Sequence, residues 1–274
     1  MKLSEYLNKA YREHFAISGF NFYNLESGRA IAQAAQLAQK PALLMVSEKS
    51  IEYIGLDSIL FIAEKLKKES KTPIFLHLDH GRNIDLIKKC ISSNFDSVMF
   101  DGSRLPLDQN IALSTELRRA AHRKGVVFEA EIGKIGGQED SIEAKLFKTN
   151  PAEALMFEER VKPDMLAVAI GNIHGELTTD EQLDFTLLAK IQDTIRSPLV
   201  LHGCSNRAPR EYKVAISCGV VKINIDTELR EAFVEGIQRA LRAKQTDPRE
   251  ILSFASDRIS KQAEEKIKLF SEAV

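Results

Sequence analysis

The stretch Ile74–Gly81, which reads IFLHLDHG, combines the two features that decide the fold. It begins with a largely apolar run over residues 74–78, which has the length of a buried strand. It ends in Asp79, His80 and Gly81, which are polar or small. Near-continuous hydrophobic strands of this kind indicate a parallel sheet whose two faces are covered by helices.

Seven further runs of this kind make eight strand candidates. They are residues 16–22, 42–46, 97–100, 126–131, 165–170, 199–201 and 220–223. Stretches with apolar residues at helical spacing lie between them, for example Ile31, Ala34, Ala35 and Ala38. Eight strand-helix units in one chain predict an α/β protein with a (β/α)8 TIM barrel. An open doubly wound sheet is the alternative.

The remaining segments complete the predicted organisation. We expect a single TIM-barrel domain over residues 1–274, with a C-terminal helical extension over about 228–274 that caps the barrel or mediates oligomerisation. Its helices are predicted at about 228–241 and 248–270. Residues 133–149 form the longest irregular piece, and such a long loop in a compact domain is usually functional or disordered.

Composition excludes several classes of protein. The chain of 274 residues carries 38 Lys and Arg against 39 Asp and Glu, a net charge of −1. This balance argues against a protein that coats nucleic acid or binds a membrane surface. No stretch resembles a membrane span or a secretory signal. Three cysteines do not make a disulfide framework, so we expect a reducing, cytoplasmic location.

Polar residues and glycines collect at the ends of six successive predicted strands, the third to the eighth. These ends are residues 77–81, 100–103, 129–133, 171–175, 202–205 and 224–227. In a parallel barrel the carboxyl ends of the strands form the active-site mouth. The sequence therefore predicts a functional site at this end of the barrel.

Three of the six histidines fall at these strand ends, each followed by glycine: His80, His174 and His202. Three imidazoles at one mouth make the ligand set of a catalytic zinc with an open fourth position. The alternative is that they are unrelated polar loop residues. Because all three share the same context, we predict the metal site.

The acidic neighbours have more than one interpretation. Asp79 could orient a ligand, or it could act as acid and base toward a substrate on the metal. His77 shares a strand face with Asp79 and is either a supporting partner or a buried core histidine. Asp101 and Glu131 could hold a second, mobile metal position, or they are simply solvated strand ends.

The last two strand ends suggest a phosphate site. The loops after strands seven and eight often bind phosphate in such barrels, together with a helix N-terminus. Here they contain Ser205 and Thr227, whose hydroxyls are suitable donors beside the backbone N–H groups. Ordinary N-capping by Asp226 or Thr227 is the alternative, and the two roles can coexist.

These residues resemble the class II, zinc-dependent ketose-bisphosphate aldolases of the fructose-bisphosphate and tagatose-bisphosphate type. The matching segments are HLDHG (77–81), SVMFDGS (97–103), EAEIGKIGGQED (129–140), AVAIGNIHG (167–175), LVLHGCS (199–205) and KINIDTELR (222–230). They stand in the expected order and span most of the chain. One departure is the loop His202-Gly203-Cys204-Ser205-Asn206, which is usually His-Gly-Gly-Ser-Gly.

The resemblance implies a role for each matching residue. His80, His174 and His202 would bind Zn2+, with Asp101 and Glu131 at a second divalent position. Asp79 would be the acid/base at the C4 hydroxyl or the incoming aldehyde, and Glu139 would exchange the triose-phosphate proton. The dihydroxyacetone phosphate site would comprise Gly175, Gly203, Cys204, Ser205, Asn224, Ile225, Asp226 and Thr227. Relatives are usually homodimers or homotetramers, and some bind Na+ or K+ near the phosphate.

The predicted reaction is therefore the reversible cleavage of a ketose 1,6-bisphosphate to dihydroxyacetone phosphate and an aldehyde such as glyceraldehyde 3-phosphate. A lysine-dependent aldolase using Lys222 is one alternative, but it leaves the three histidines unexplained. A catalytically silent sugar-phosphate or metal-binding barrel is the other. Binding alone requires neither Asp79 nor Glu139.

Overall fold

The computed structural model describes residues 1–139, 142–144, 146–175 and 182–273, with the backbone alone at 138, 139 and 142–144. The strands are β1 (Ile17–Asn21), β2 (Ala42–Val46), β3 (Ile74–Gly81), β4 (Ser97–Phe100), β5 (Val127–Ile132), β6 (Gly136–Glu139), β7 (Ile142–Ala144), β8 (Met165–Val168), β9 (Ile173–His174), β10 (Leu199–Leu201) and β11 (Val220–Ile225). The helices are α1 (Leu3–Glu13), α2 (Leu25–Ala38), α3 (Glu48–Ile54), α4 (Leu56–Glu69), α5 (Ile84–Ile91), α6 (Leu107–Arg123), α7 (Pro151–Val161), α8 (Phe185–Thr194), α9 (Pro209–Ser217), α10 (Thr227–Arg242) and α11 (Pro248–Ser271).

Eight parallel strands close into a barrel in the order β1-β2-β3-β4-β5-β8-β10-β11, and β11 pairs with β1. The predicted (β/α)8 barrel is confirmed, and the open doubly wound sheet is excluded because the sheet has no edge. All eight predicted strands are present. β3 is three residues longer than predicted, and β8 ends two residues earlier.

The prediction of an irregular segment over residues 133–149 was wrong in part. β6 and β7 pair antiparallel, and β6 also pairs parallel with β9, so a small three-stranded sheet lies beyond the barrel. Gly137 has a φ of 85°, and an added Cβ would lie 2.1 Å from the carbonyl oxygen of His174. Only glycine permits this close pairing, which places β6 beside a predicted metal ligand.

Alternate residues of each barrel strand serve two different cores. Along β2, Leu44 packs outward against the helices, whereas Leu43 and Met45 fill the barrel interior. Leu3 and Leu7 of α1 belong to the interior cluster, so α1 closes the amino end of the barrel. This two-sided burial is why the strands are apolar in sequence, and it leaves the carboxyl ends for function.

The C-terminal helices are part of the barrel wall. α11 packs against β1 and against α2, α9 and α10, and its buried face includes Ile259, Ala263 and Ile267. Gly236 of α10 allows a close crossing, since an added Cβ would lie 2.4 Å from Cα of Ala255. The two helices begin and end within one residue of the predicted bounds. α11 covers β1 instead of extending away from the barrel.

No helix in the described ranges is both long and apolar enough to cross a bilayer.

Candidate active site

A bulge at the end of β3 places Asp79 and His80 side by side. Leu78 pairs with Val98 and Gly81 with Phe100, so two residues of β3 stand opposite one residue of β4. His80 has a φ of 46°, in the left-handed region that a side chain rarely adopts. A regular strand would direct neighbouring side chains to opposite faces. The bulge instead directs both Asp79 and His80 into one cavity.

The three predicted ligand histidines lie close together. The ring centroids are 4.5 Å apart for His80 and His202, 5.0 Å for His80 and His174, and 6.5 Å for His174 and His202. Nε2 of His80 and Nδ1 of His202 lie 2.6 Å apart. The structure therefore brings together the three imidazoles that the sequence singled out.

The carboxylate of Glu129 determines which ring nitrogen of His202 faces His80. Nε2 of His202 donates a hydrogen bond to Oε1 of Glu129 at 2.7 Å, so the lone pair is on Nδ1. The other oxygen of Glu129 lies 2.9 Å from Nζ of Lys222, and both residues are fully buried. His77 adjoins this pair, with Nε2 3.8 Å from Glu129 and Nδ1 2.7 Å from Oγ of Ser97. Glu129 thus serves the supporting role that metal-ligating histidines usually require.

Burial and neighbouring charges also set the protonation states. Burial lowers the pKa of His202 well below its ordinary value and that of His174 to about 3, because the imidazolium ion is poorly solvated there. Both imidazoles are therefore neutral at pH 7, as metal ligation requires. Burial alone would raise the pKa of Asp79, but His80, Lys222 and the hydrogen bond from Asn21 lower it overall, so Asp79 is ionised.

Asp79 is held by two amides, one on each carboxylate oxygen. Asn21 donates to Oδ2 at 3.0 Å, and Asn224 donates to Oδ1 at 2.9 Å. Oδ1 lies 3.9 Å from Nε2 of His80 and 4.0 Å from Nδ1 of His202, beyond hydrogen-bond distance. Asp79 is therefore fixed within the site without a hydrogen bond to either histidine.

Asp101 and Glu131 approach the opposite nitrogen of His80. Nδ1 of His80 lies 3.7 Å from Asp101 and 3.6 Å from Glu131. Arg82 pairs with Asp101 at 2.5 Å. Burial would raise the pKa of Asp101, but His80 and Arg82 lower it well below its ordinary value. Both carboxylates are buried, so they are not simply solvated strand ends.

Two overlapping groups of side chains could hold a cation. Within the described residues, the groups are Asp79, His80 and His202, and His80, Asp101 and Glu131. The donor chemistry fits a divalent metal: neutral imidazoles for zinc, with carboxylates at a neighbouring position. Glu129 directs Nδ1 of His202 toward the first group, which is an independent sign that this set is built for a metal.

Most of the predicted substrate residues line one cavity, which also contains Asp79, His80 and His174. These substrate residues are Gly175, Gly203, Ser205, Asn224, Asp226 and Thr227. Gly203 has a φ of 57°, and a Cβ there would lie 2.7 Å from the backbone of Ile173, so no other residue fits. Residues of the predicted phosphate loops and two of the predicted metal ligands, His80 and His174, therefore line one cavity.

For four of the predicted site residues, the side chain does not line the cavity, has a different partner from the one predicted, or lies outside the described residues. Cys204 and Ile225 are buried away from the cavity, so their side chains do not face a substrate. Asp226 makes no side-chain cap for α10, and its carboxylate accepts a hydrogen bond from Tyr23 instead. Glu139 lies in β6, and its side chain is outside the described part of the chain.

Sequence reasoning missed several residues of the site. Asn21 and Ser47 follow the rule of carboxyl strand ends, since they stand at the ends of β1 and β2, and that rule could have found them. Arg230 also lines the cavity, one turn into α10; it is the last residue of the matching segment KINIDTELR, but no role was predicted for it. Lys222, by contrast, faces Glu129 in the barrel interior and does not line the cavity.

Comparisons with known proteins agree with this geometry. The sequence model of the family described as fructose-bisphosphate aldolase class-II matches residues 1–273. A sulfofructosephosphate aldolase from Alkalicoccus urumqiensis is 36% identical over 272 residues, which cover 96% of this chain and 94% of that protein.

Solved structures show the same architecture. The YdjI aldolase from Escherichia coli K12 superposes with a TM-score of 0.88 at 29% identity, covering 99% of this chain and 97% of that one. A candidate fructose-1,6-bisphosphate aldolase from Coccidioides immitis gives a TM-score of 0.91 at 28% identity, covering 99% and 96%. With its barrel, its histidine cluster and its strand-end motifs, the chain belongs to the class II fructose-bisphosphate aldolase family and is a lyase of that class.

Proposed function

We propose that the protein is a zinc-dependent aldolase that reversibly cleaves a ketose 1,6-bisphosphate of the fructose or tagatose type. The products are dihydroxyacetone phosphate and an aldehyde such as glyceraldehyde 3-phosphate. His80, His174 and His202 hold the metal, and Asp101 and Glu131 offer a second divalent position. When bound, the metal supplies Lewis-acid polarisation of the ketose carbonyl.

The position of Asp79 carries this proposal. An ionised carboxylate held by Asn21 and Asn224, in the same cavity as His80 and His174, is suited to take a proton from the substrate. In the cleavage direction Asp79 accepts the C4 hydroxyl proton as the C3–C4 bond breaks. In the reverse direction it returns that proton to the oxygen of the incoming aldehyde.

The phosphate of the triose half binds at the loops after β10 and β11. Backbone N–H groups near Gly203 and the hydroxyls of Ser205 and Thr227 donate to it, and the N-terminus of α10 favours its charge. Glu139, on the small sheet beside His174, supplies the proton that completes the triose phosphate. This last assignment rests on the family resemblance.

The alternative chemistries receive less support. A Schiff base at Lys222 would require its amine to reach the substrate, yet Lys222 is fully buried and paired with Glu129. In a silent binding barrel Asp79 would serve only the cation, in the group that it forms with His80 and His202, and its loss would act through metal affinity alone. The relative named sulfofructosephosphate aldolase favours a second substrate, a fructose phosphate that carries a sulfo group. Matched substrates with either a second phosphate or a sulfonate group would separate the two.

The test of the mechanism is Asp79→Ala, with three measurements on the same protein. We expect zinc content and triose-phosphate binding to be retained, and carbon–carbon cleavage to fall by about 10²–10⁴-fold, the usual contribution of a positioned acid/base. Exchange of the triose-phosphate proton should fall much less. Metal loss rescued by added zinc would show that Asp79 only supports the ligands, and equal loss of cleavage and exchange would also contradict its assigned role.

We also propose a single domain and a homodimer or homotetramer, with Na+ or K+ near the phosphate as an optional addition. The proposed compartment is the cytoplasm, in agreement with three free cysteines. Light scattering on the purified protein tests the assembly, and activity with and without each monovalent cation tests the ion.

A further inference from the structure

A buried polar network lies directly behind the loop that carries Ser205. Its members are Tyr212 of α9, Glu228 of α10 and Lys266 of α11, with exposed fractions of 2%, 5% and 9%. Buried charges and hydroxyls are costly unless each is paired, so such a group needs a structural reason. None of the three lines the substrate cavity.

The network holds both sides of Ser205. On one side, the Tyr212 hydroxyl donates to the carbonyl oxygen of Cys204 at 2.5 Å. On the other side, the backbone N–H of Asn206 donates to Oε1 of Glu228 at 2.5 Å. Asn206 has a φ of 60°, a left-handed conformation that must be maintained by its surroundings.

Lys266 joins these two hydrogen bonds into one unit. Its Nζ lies 2.8 Å from Oε1 of Glu228 and donates to the Tyr212 hydroxyl at 3.2 Å. A continuous path therefore runs from Cys204 through Tyr212, Lys266 and Glu228 to Asn206. Gln262 of α11 donates to the second oxygen of Glu228 at 2.6 Å, so α11 supplies two of the groups that fix this carboxylate.

We infer that Tyr212, Glu228 and Lys266 are positioning residues for phosphate binding, and that α11 is the part of the fold that holds the Ser205 loop in its binding geometry. This inference rests on the proposed assignment of Ser205 to the substrate phosphate. A ligand that depends on backbone N–H groups loses affinity when the loop can adopt several conformations, because binding must then order it.

Lys266→Met is the main test, because it removes the ammonium group and keeps most of the apolar stem. Arg258→Met is the matched control: Arg258 also lies on α11 and pairs with a glutamate of α10, Glu235, at 2.5 Å, but it does not contact the loop. We expect Lys266→Met to raise KM for the bisphosphate by about 5- to 30-fold, the effect of one or two lost buried hydrogen bonds, with kcat within about threefold. The inhibition constant of inorganic phosphate should rise by a similar factor, and Arg258→Met should change neither.

Two further variants make the outcome decisive. Tyr212→Phe removes only the hydroxyl, and we expect the same rise in KM and in the inhibition constant of inorganic phosphate. If Lys266→Met does not fold, Tyr212→Phe tests the inference in its place. Lys266→Arg should restore much of the lost affinity. Folded variants with unchanged KM and phosphate inhibition would overturn the inference, as would equal effects of Lys266→Met and Arg258→Met.

Ser205→Ala separates this inference from the proposed function. If Ser205→Ala raises KM and Lys266→Met does not, the phosphate assignment stands and the positioning role is wrong. If Ser205→Ala leaves KM unchanged, the phosphate assignment is wrong, and the positioning role is overturned with it.

Discussion

Glu129 accepts a hydrogen bond from Nε2 of His202 at 2.7 Å, and this bond turns Nδ1 of the same ring toward His80. The barrel interior thereby determines the tautomer of a candidate ligand at the barrel mouth. Lys222 holds Glu129 from the other side. The supporting network, and not the histidine alone, prepares the site for a cation.

This relationship predicts the effect of Glu129→Gln. The amide can donate as well as accept, so it no longer selects one tautomer of His202, and zinc affinity should fall by about 10–100-fold. Chelator competition measures this affinity without reference to activity. Glu129→Gln also leaves the buried ammonium group of Lys222 without its carboxylate partner. The double variant Lys222→Met/Glu129→Gln lacks that group, so it should show the same loss of zinc affinity and a higher free energy of unfolding than Glu129→Gln alone. Unchanged zinc affinity in both variants would show that Glu129 is only a core residue.

Removal of the metal should abolish cleavage. After exhaustive dialysis against EDTA we expect no turnover, with recovery on addition of zinc, because the proposed reaction relies on the metal to polarise the carbonyl. Borohydride added with substrate should trap no adduct. Full activity after dialysis together with a trapped adduct at Lys222 would establish the Schiff-base mechanism.

Arg230 should contribute to phosphate affinity. It is the single Lys or Arg among the described residues that line the proposed substrate cavity, and it lies one turn from Thr227. Arg230→Met should raise KM for phosphorylated substrates by about 10- to 100-fold, as expected for a lost charge-assisted hydrogen bond. Arg239→Met, at an arginine of the same helix that pairs with Glu235, should have no effect. Equal KM values for the two variants would remove Arg230 from the site.

The metal-free protein should lose stability as the pH falls below about 6.5. Burial lowers the pKa of His77, His174 and His202 from the ordinary value of 6.5. The unfolded chain therefore binds protons at these three residues that the folded protein does not bind. The free energy of unfolding should decrease by about 1.4 kcal/mol per pH unit for each such histidine. Asp79 and Asp101 have pKa values below the ordinary value of 3.8, so the stability that their ionised forms contribute is lost only at lower pH.

Urea denaturation of the metal-free protein between pH 7 and 5 measures this dependence. His77→Gln should reduce the slope by about a third, since one of the three groups is removed. A free energy of unfolding that does not change over this range would show that the three histidines bind protons in the folded state as readily as in the unfolded chain.

The sequence by itself determined that the chain forms a barrel and which residues lie at the carboxyl ends of its strands. Apolar runs such as 42–46 and 199–201 have no polar face, and only a sheet covered on both sides buries them, so the eight strands were recognisable. Once the strands were recognised, the polar residues that follow them could be assigned to the strand ends. His80, His174 and His202 could be grouped because parallel strands bring their carboxyl ends to one place.

Tertiary structure alone decided how these residues act. Neighbours in a strand should face opposite ways, yet the bulge at Asp79 and His80 turns both into the cavity, because β3 has one more residue there than β4. Contacts between distant segments decided the rest: Glu129 with His202 and Lys222, and Lys266 with Glu228, which in turn holds the Ser205 loop. Sequence patterns report local periodicity, whereas these pairs join residues that only the closed barrel brings together.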